Sequence, residues 1–359
     1  MNFKDNKFVL VELLRFISAM SVLIWHYIHF SYLSYNSVNY NKNELPFTEI
    51  LRVFYEMGGA GVLIFWCISG FIFFYKYESL ISLKKVSIKK FFINRFSRLY
   101  PLHFFTLISV LLLQIFFQNL NGNFFVYENN DYYHFFLQLL FISNWGFEKG
   151  YSFNGPIWSV SIEIIVYFIF YIFLRIFGKH LIMNISIIII CVSIKLFSDT
   201  TYLLYDCVIF FYCGGLSFIF TKYLSKKKIL NYFHSYYYLL IILSLPFLCW
   251  YYNIYKIKYF YFIFFVIFSC CTLLFCSKNL ESNQLFSKIA VRLGNLTYGS
   301  YLLHFPFQLL IVLSFRYFDL DIPIYNNWFF VFYIIGVLTL SYFSYKKLEM
   351  PLQNYIRNY

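Results

Sequence analysis

Residues 8–33 read FVLVELLRFISAMSVLIWHYIHFSYL, and the fold follows from how this stretch is understood. A helix crosses the hydrocarbon core of a bilayer with about 20 largely apolar residues, and here only Glu12 and Arg15 carry charge. Lys4 and Lys7 precede the stretch and no small-residue cleavage site follows it, so it reads as a retained first span and not a removable leader.

The pattern recurs along the chain. Of the 359 residues, 61% are hydrophobic and 13% charged, whereas a soluble domain carries about 25% charged residues, so a soluble fold is excluded. Ten stretches qualify as spans, roughly 8–33, 57–76, 99–118, 156–174, 180–197, 201–220, 236–253, 259–277, 298–318 and 327–345. An even number places both termini on one side. If that side is the cytoplasm, 21 Lys and Arg fall inside and seven outside, with Arg15 within the first span, the bias expected of inner loops. Residues 119–155 contain an apolar piece, 134–145, that is short for a span. It is expected to be re-entrant or interfacial, because counting it as a span would move the basic run Lys222 to Lys228 outside. The fold class expected is therefore all-α: a polytopic membrane bundle of about ten transmembrane helices, one domain over 1–359, with no soluble C-terminal domain.

The net charge of +13 does not indicate nucleic acid, because the basic residues sit in short runs between apolar stretches instead of forming a basic face. Eight cysteines lie mostly inside apolar segments without metal-ligand spacing, and they read as small hydrophobes with neither a disulfide frame nor a zinc site.

Ionisable groups within spans are costly, by about 2.5–3.5 kcal/mol on insertion scales, and so mark where function is to be sought. The step from Arg15 to His26 turns about 1100° and climbs roughly 16 Å, which leaves both side chains on one helix face. They could bracket an elongated anionic ligand; equally, Arg15 could pair with Glu12 three residues away while His26 hydrogen-bonds in the core. Ser69 and Gly70, in the second span, could mark close helix packing or a backbone break that meets a ligand. Arg95 and Arg98 share a face at the cytoplasmic mouth of the third span, and paired guanidiniums suit phosphate. Glu163 stands in otherwise apolar helix five residues after Trp158, and Tyr167 follows one turn later.

In order, these pieces resemble the membrane-bound acyltransferase family 3, multi-span proteins that acylate bacterial O-antigens, capsules, peptidoglycan and related glycans. The resemblance is carried by Arg15 with ten residues before His26; Phe65-Trp66-Cys67-Ile68-Ser69-Gly70-Phe71; Arg95-Phe96-Ser97-Arg98-Leu99-Tyr100-Pro101; Trp158-Ser159-Val160-Ser161-Ile162-Glu163; Ser300-Tyr301-Leu302-Leu303-His304; and Glu349 with Pro351. Trp66 and Leu63 depart from the family's usual Phe and polar residue, away from the Arg-His pair.

The resemblance implies an inner-membrane O-acyltransferase. Its co-substrate would be cytoplasmic acetyl-CoA or another acyl-CoA, with no permanently bound cofactor and no metal. Its partners would be membrane lipids and a surface glycan or lipid-linked glycan acceptor, not nucleic acid. It makes His26 the expected general base and Glu163 the group that orients it or binds sugar. Arg15, Arg95 and Arg98 are expected to hold the donor, with Ser69 and Gly70 lining its path, and Trp158, Tyr167, His304 and Glu349 to stand behind them. A transporter or flippase is the main rival, because intramembrane Arg, His and Glu also line substrate paths. A membrane glycosyltransferase is a weaker rival, since only 34–56 and 119–155 form sizeable outer loops.

Overall fold

The structure, a computed structural model, describes residues 8–32, 40–198, 202–227, 236–276 and 284–358. Lys4, Lys7, Lys228 and Lys278, counted above among the inner charges, lie outside the described residues. Thirteen α-helices occur among those described: α1 Val9–Trp25, α2 Thr48–Met57, α3 Ala60–Ser82, α4 Ile88–Asn121, α5 Tyr132–Leu139, α6 Trp158–Phe177, α7 Leu181–Phe197, α8 Leu203–Lys226, α9 Tyr236–Tyr251, α10 Lys258–Cys276, α11 Gln284–Tyr317, α12 Asn327–Ser344 and α13 Met350–Asn358. There is no strand among the described residues.

All ten predicted spans fall on helices. Seven helical stretches are long and apolar enough to cross a membrane: Val9–Ser31, Ala60–Ser82, Ile88–Asn121, Gly155–Phe177, Leu203–Lys226, Gln284–Tyr317 and Asn327–Asn358. Of the other three predicted spans, α7 and α10 give the shorter apolar helices Leu181–Phe197 and Phe260–Cys276, and α9 has 16 residues. At 1.5 Å per residue a helix of that length covers about 25 Å, which crosses only where the bilayer thins. Large apolar side chains are strongly exposed on several helices, among them Ile182 (77%) and Phe197 (91%). Exposure of this kind suits lipid and not water.

The chain divides into two compact units: residues 1–21, 57–87 and 165–295 in one, and 22–56, 88–164 and 296–359 in the other. In the first unit α3 packs along α8, with α7 and α10 also against α8. A Cβ added at Gly70 would stand 1.8 Å from the Phe211 carbonyl oxygen, and one at Gly214 would stand 1.8 Å from that of Cys67. The two backbones therefore touch at two glycines about one helical turn apart in register, and only a missing side chain allows it.

In the second unit α13 and the π-helical turn Tyr345–Glu349 pack on α4. Pro351 cannot donate to the ladder, and the helix relaxes into a wide turn just before it. Residues 122–157 are tied down by their polar groups. Gln114 on α4 exchanges two bonds with the Phe125 backbone, at 2.9 and 3.0 Å. Asn154 donates to the Leu302 carbonyl at 3.0 Å, and the Trp145 indole donates to that of Ser161 at 3.0 Å. The only regular piece of 132–145 is α5, whose eight residues cover about 12 Å, so this apolar piece does not span. Asp131 caps α5: its carboxylate accepts from the His134 backbone N–H at 2.8 Å and from the His134 ring at 2.7 Å.

Candidate functional site

The first-span helix ends without proline or glycine. After Trp25 it tightens into a six-residue 3-10 turn, His26–Ser31, where three residues complete a turn and side chains i and i+3 eclipse. His26 and His29 therefore lie one above the other, ring centroids 4.7 Å apart. The ring facing His26 from α11 is His304, with Nε2 3.1 Å from His26 Nδ1 and the ring planes 15° apart. One turn further along α11, Gln308 donates through Nε2 to the His26 carbonyl at 2.9 Å and meets His29 Nδ1 through Oε1 at 3.3 Å. All four side chains are buried, and all belong to the second unit.

The other predicted residues form two further groups. In the second unit, Arg98, Glu163 and Glu349 lie within electrostatic range of the Tyr298 phenol, whose hydroxyl donates to the Leu99 carbonyl at 2.6 Å. Glu349 accepts from Ser344 at 3.1 Å. Arg95 and Arg98 are half-buried on α4. Arg357 from α13 reaches the same stretch, donating to Ser97 Oγ at 3.1 Å and to the Asn94 carbonyl at 3.2 Å. Arg357 thus binds the turn of α4 that carries Arg95 and Arg98. Glu163, expected to orient His26 or to bind sugar, lies within electrostatic range of both Tyr298 and Tyr301, and the imidazole of His304 contacts His26. Trp158 opens α6 half-buried, its ring 6.3 Å from that of Tyr151.

In the first unit, Arg15 pairs with Glu12 at 2.8 Å, and the Glu12 carboxylate rests against Gly294, where an added Cβ would stand 2.1 Å from its Oε2. The pairing with Glu12 expected for Arg15 is present. Ser69 and Tyr167 share a hydrogen bond at 3.3 Å, and the Tyr167 ring stacks on Phe73 at 4.2 Å. Gly70 is filled from outside by the Phe211 backbone and serves helix packing.

A family model described as an acyltransferase domain matches residues 9–346. The chain belongs to the acyltransferase 3 family. A search of curated proteins and one of solved structures find no match. This acyltransferase is a multi-pass membrane protein, with His304 and Gln308 among the buried polar residues of α11. Sequence reasoning left His304 in the background, assigned no role to His29, and missed Gln308, Tyr298 and Arg357. Gln308 had one available signal: it follows His304 by four residues, on the same helical face.

Proposed function

We propose that this protein is an O-acyltransferase that moves an acetyl group from cytoplasmic acetyl-CoA to a hydroxyl of a cell-surface glycan or its lipid-linked precursor, in the bacterial cytoplasmic membrane and with both termini inside. The observation that carries this reading is the 3.1 Å contact between His26 and His304 within a chain of the acyltransferase 3 family. We take the proton of this contact to sit on His26. His26 Nδ1–H then donates to His304 Nε2, and His26 Nε2 keeps its lone pair.

In the proposed step a glycan hydroxyl gives its proton to His26 Nε2 while its oxygen attacks the thioester carbonyl. The tetrahedral intermediate collapses, the C–S bond breaks, and the imidazolium returns the proton to the departing thiolate. The products are the O-acetyl ester and free CoA. General base catalysis of this kind contributes about 10² to 10⁴ in rate. His304 holds the tautomer, Gln308 fixes the turn, and the guanidiniums of Arg95, Arg98 and Arg357 suit the phosphates of CoA.

The test is acetyl-CoA turnover by purified protein in detergent or nanodiscs, followed as free thiol, for wild type and His26→Ala, with and without extracted surface glycan. Release that rises with glycan and is lost in His26→Ala is expected. A folded wild type that releases no thiol with any acyl donor would turn the reading to a transporter, and near-normal turnover by His26→Ala would remove that residue from the chemistry.

A further inference from the structure

A cavity of about 610 Å³ opens in the second unit, bounded by the end of the 3-10 turn and by the loop from α11 to α12. Small-molecule sites occupy about 300–1,000 Å³. Its polar lining comprises Ser31, Tyr40, Arg316, Asp321, Tyr325 and Asn326. This is an unusual wall for a chain so poor in charge.

Arg316 sets the chemistry. Its Nε is buried and meets no hydrogen-bond acceptor, and none of the ion pairs among the described residues includes it. A guanidinium stays charged at any working pH, and leaving one half-buried outside any ion pair is costly. The N-terminus of α12 adds positive potential to the same wall. Asn326 caps that helix, its Oδ1 accepting from the Trp328 and Phe329 N–H groups at 2.8 and 3.2 Å. Tyr325 accepts the Asn41 N–H at 3.0 Å, so its own hydroxyl proton is available to donate.

Asp321 narrows the choice of anion. A carboxylate in the same wall repels a phosphate dianion more than it repels a monoanion, while it accepts well from hydroxyls. One planar fork for a carboxylate, one acceptor for hydroxyls and two tyrosine faces describe a site for an acidic sugar. Ser31 closes the turn that His26 opens, and a rise of about 2.0 Å per residue sets them roughly 10 Å apart along its axis. A short oligosaccharide covers that distance.

We infer that this cavity is the acceptor subsite and that it holds a carboxylate-bearing sugar, with Arg316 binding the carboxylate and Asp321 accepting from the hydroxyls. The inference rests on the glycan-acceptor reading above, and it is tested by binding, apart from turnover.

The experiment is calorimetric titration of the full-length protein in detergent with trigalacturonate, with neutral galactotriose, and with glucose 1-phosphate. Wild type, Arg316→Gln, Arg316→Lys and Asp321→Asn are compared after matching their elution and melting profiles. Wild type is expected to bind trigalacturonate. Arg316→Gln should weaken that binding about tenfold or more, the effect of losing a charge-assisted bidentate pair, with Arg316→Lys intermediate, and galactotriose should bind weakly and equally to wild type and Arg316→Gln. The inference is overturned if wild type does not bind trigalacturonate, if Arg316→Gln binds it as wild type does, or if either of the other two ligands binds wild type as tightly. His26→Ala should retain this binding while losing turnover. Arg316-dependent binding in a wild type that never consumes acetyl-CoA would sink the enzymatic reading and leave the sugar site standing.

Discussion

The amide of Gln308 fixes which nitrogen of His29 carries a proton. The His26 carbonyl can only accept, so the Gln308 amide nitrogen must face it, and the amide oxygen is left for His29 Nδ1, which must then donate. His29 Nε2 keeps its lone pair. Replacing Gln308 with Leu removes both bonds and leaves a buried carbonyl and a buried imidazole without partners, at about 1–3 kcal/mol for each group. The expected result is a lower melting temperature and turnover reduced roughly tenfold. Wild-type melting in Gln308→Leu would show that the turn is held by other means.

His304→Ala is expected to lower kcat by about 10²-fold or more, with little change in the KM for acetyl-CoA, because the ring acts on His26 and not on the donor. His304→Gln keeps an acceptor for His26 Nδ1–H and should recover part of the rate. Equal rates for the Ala and Gln variants would reduce His304 to a packing residue.

Arg357 reaches the α4 stretch that carries Arg95 and Arg98. If these three hold the CoA phosphates, Arg357→Ala raises the KM for acetyl-CoA roughly three- to tenfold while kcat holds. Initial rates at low and high salt check it, since screening should shrink the difference. A drop in kcat at unchanged KM would place Arg357 elsewhere in the mechanism.

Gly70→Ala adds a single methyl where 1.8 Å separates the new carbon from the Phe211 carbonyl. Backbone cannot yield as a side chain tip does, so a loss of about 3 kcal/mol or more is expected, read as a large fall in the thermal midpoint and loss of monodispersity in detergent. A variant that melts like wild type would contradict the backbone contact of α3 with α8.

Burial pushes the Asp131 carboxyl up, but the His134 backbone N–H, the His134 ring and Lys149 outweigh it and hold the pKa below the ordinary aspartate value. A carboxyl lowered in the fold stabilises fully above its unfolded pKa of about 3.9 and ceases to do so as the pH falls through its folded value. The side chain is 58% exposed, so the effect is modest. Acidification from about pH 5 to pH 3 should lower the melting temperature of wild type more than that of Asp131→Asn; equal slopes would show that the α5 cap contributes nothing to acid sensitivity.

Helices were legible in this chain because lipid demands long apolar runs, and every predicted span is helical. What could not be read is where those runs bend and whom their polar groups meet. Nothing in Trp25-His26-Tyr27 announces a change from α to 3-10 geometry. Gly70 admitted both packing and ligand contact because its counterpart, Gly214, lies 144 positions away on another span. The contact of His26 with a second imidazole, that of His304 on α11, has no signal in the spacing of either residue. Spacing within one helix finds Gln308 from His304, but spacing does not reach across helices.

The bond between His26 and His304 joins residues 278 positions apart. At about 5–20 residues per second, a ribosome needs roughly 14 to 56 s to cover that interval. During that time the first helix has been made, two imidazoles and a turn carbonyl are committed to the bilayer, and the helix that will satisfy them has not been translated. Biogenesis of this protein therefore includes a waiting period in which the proposed reaction centre has its polar groups unmet, until α11 arrives.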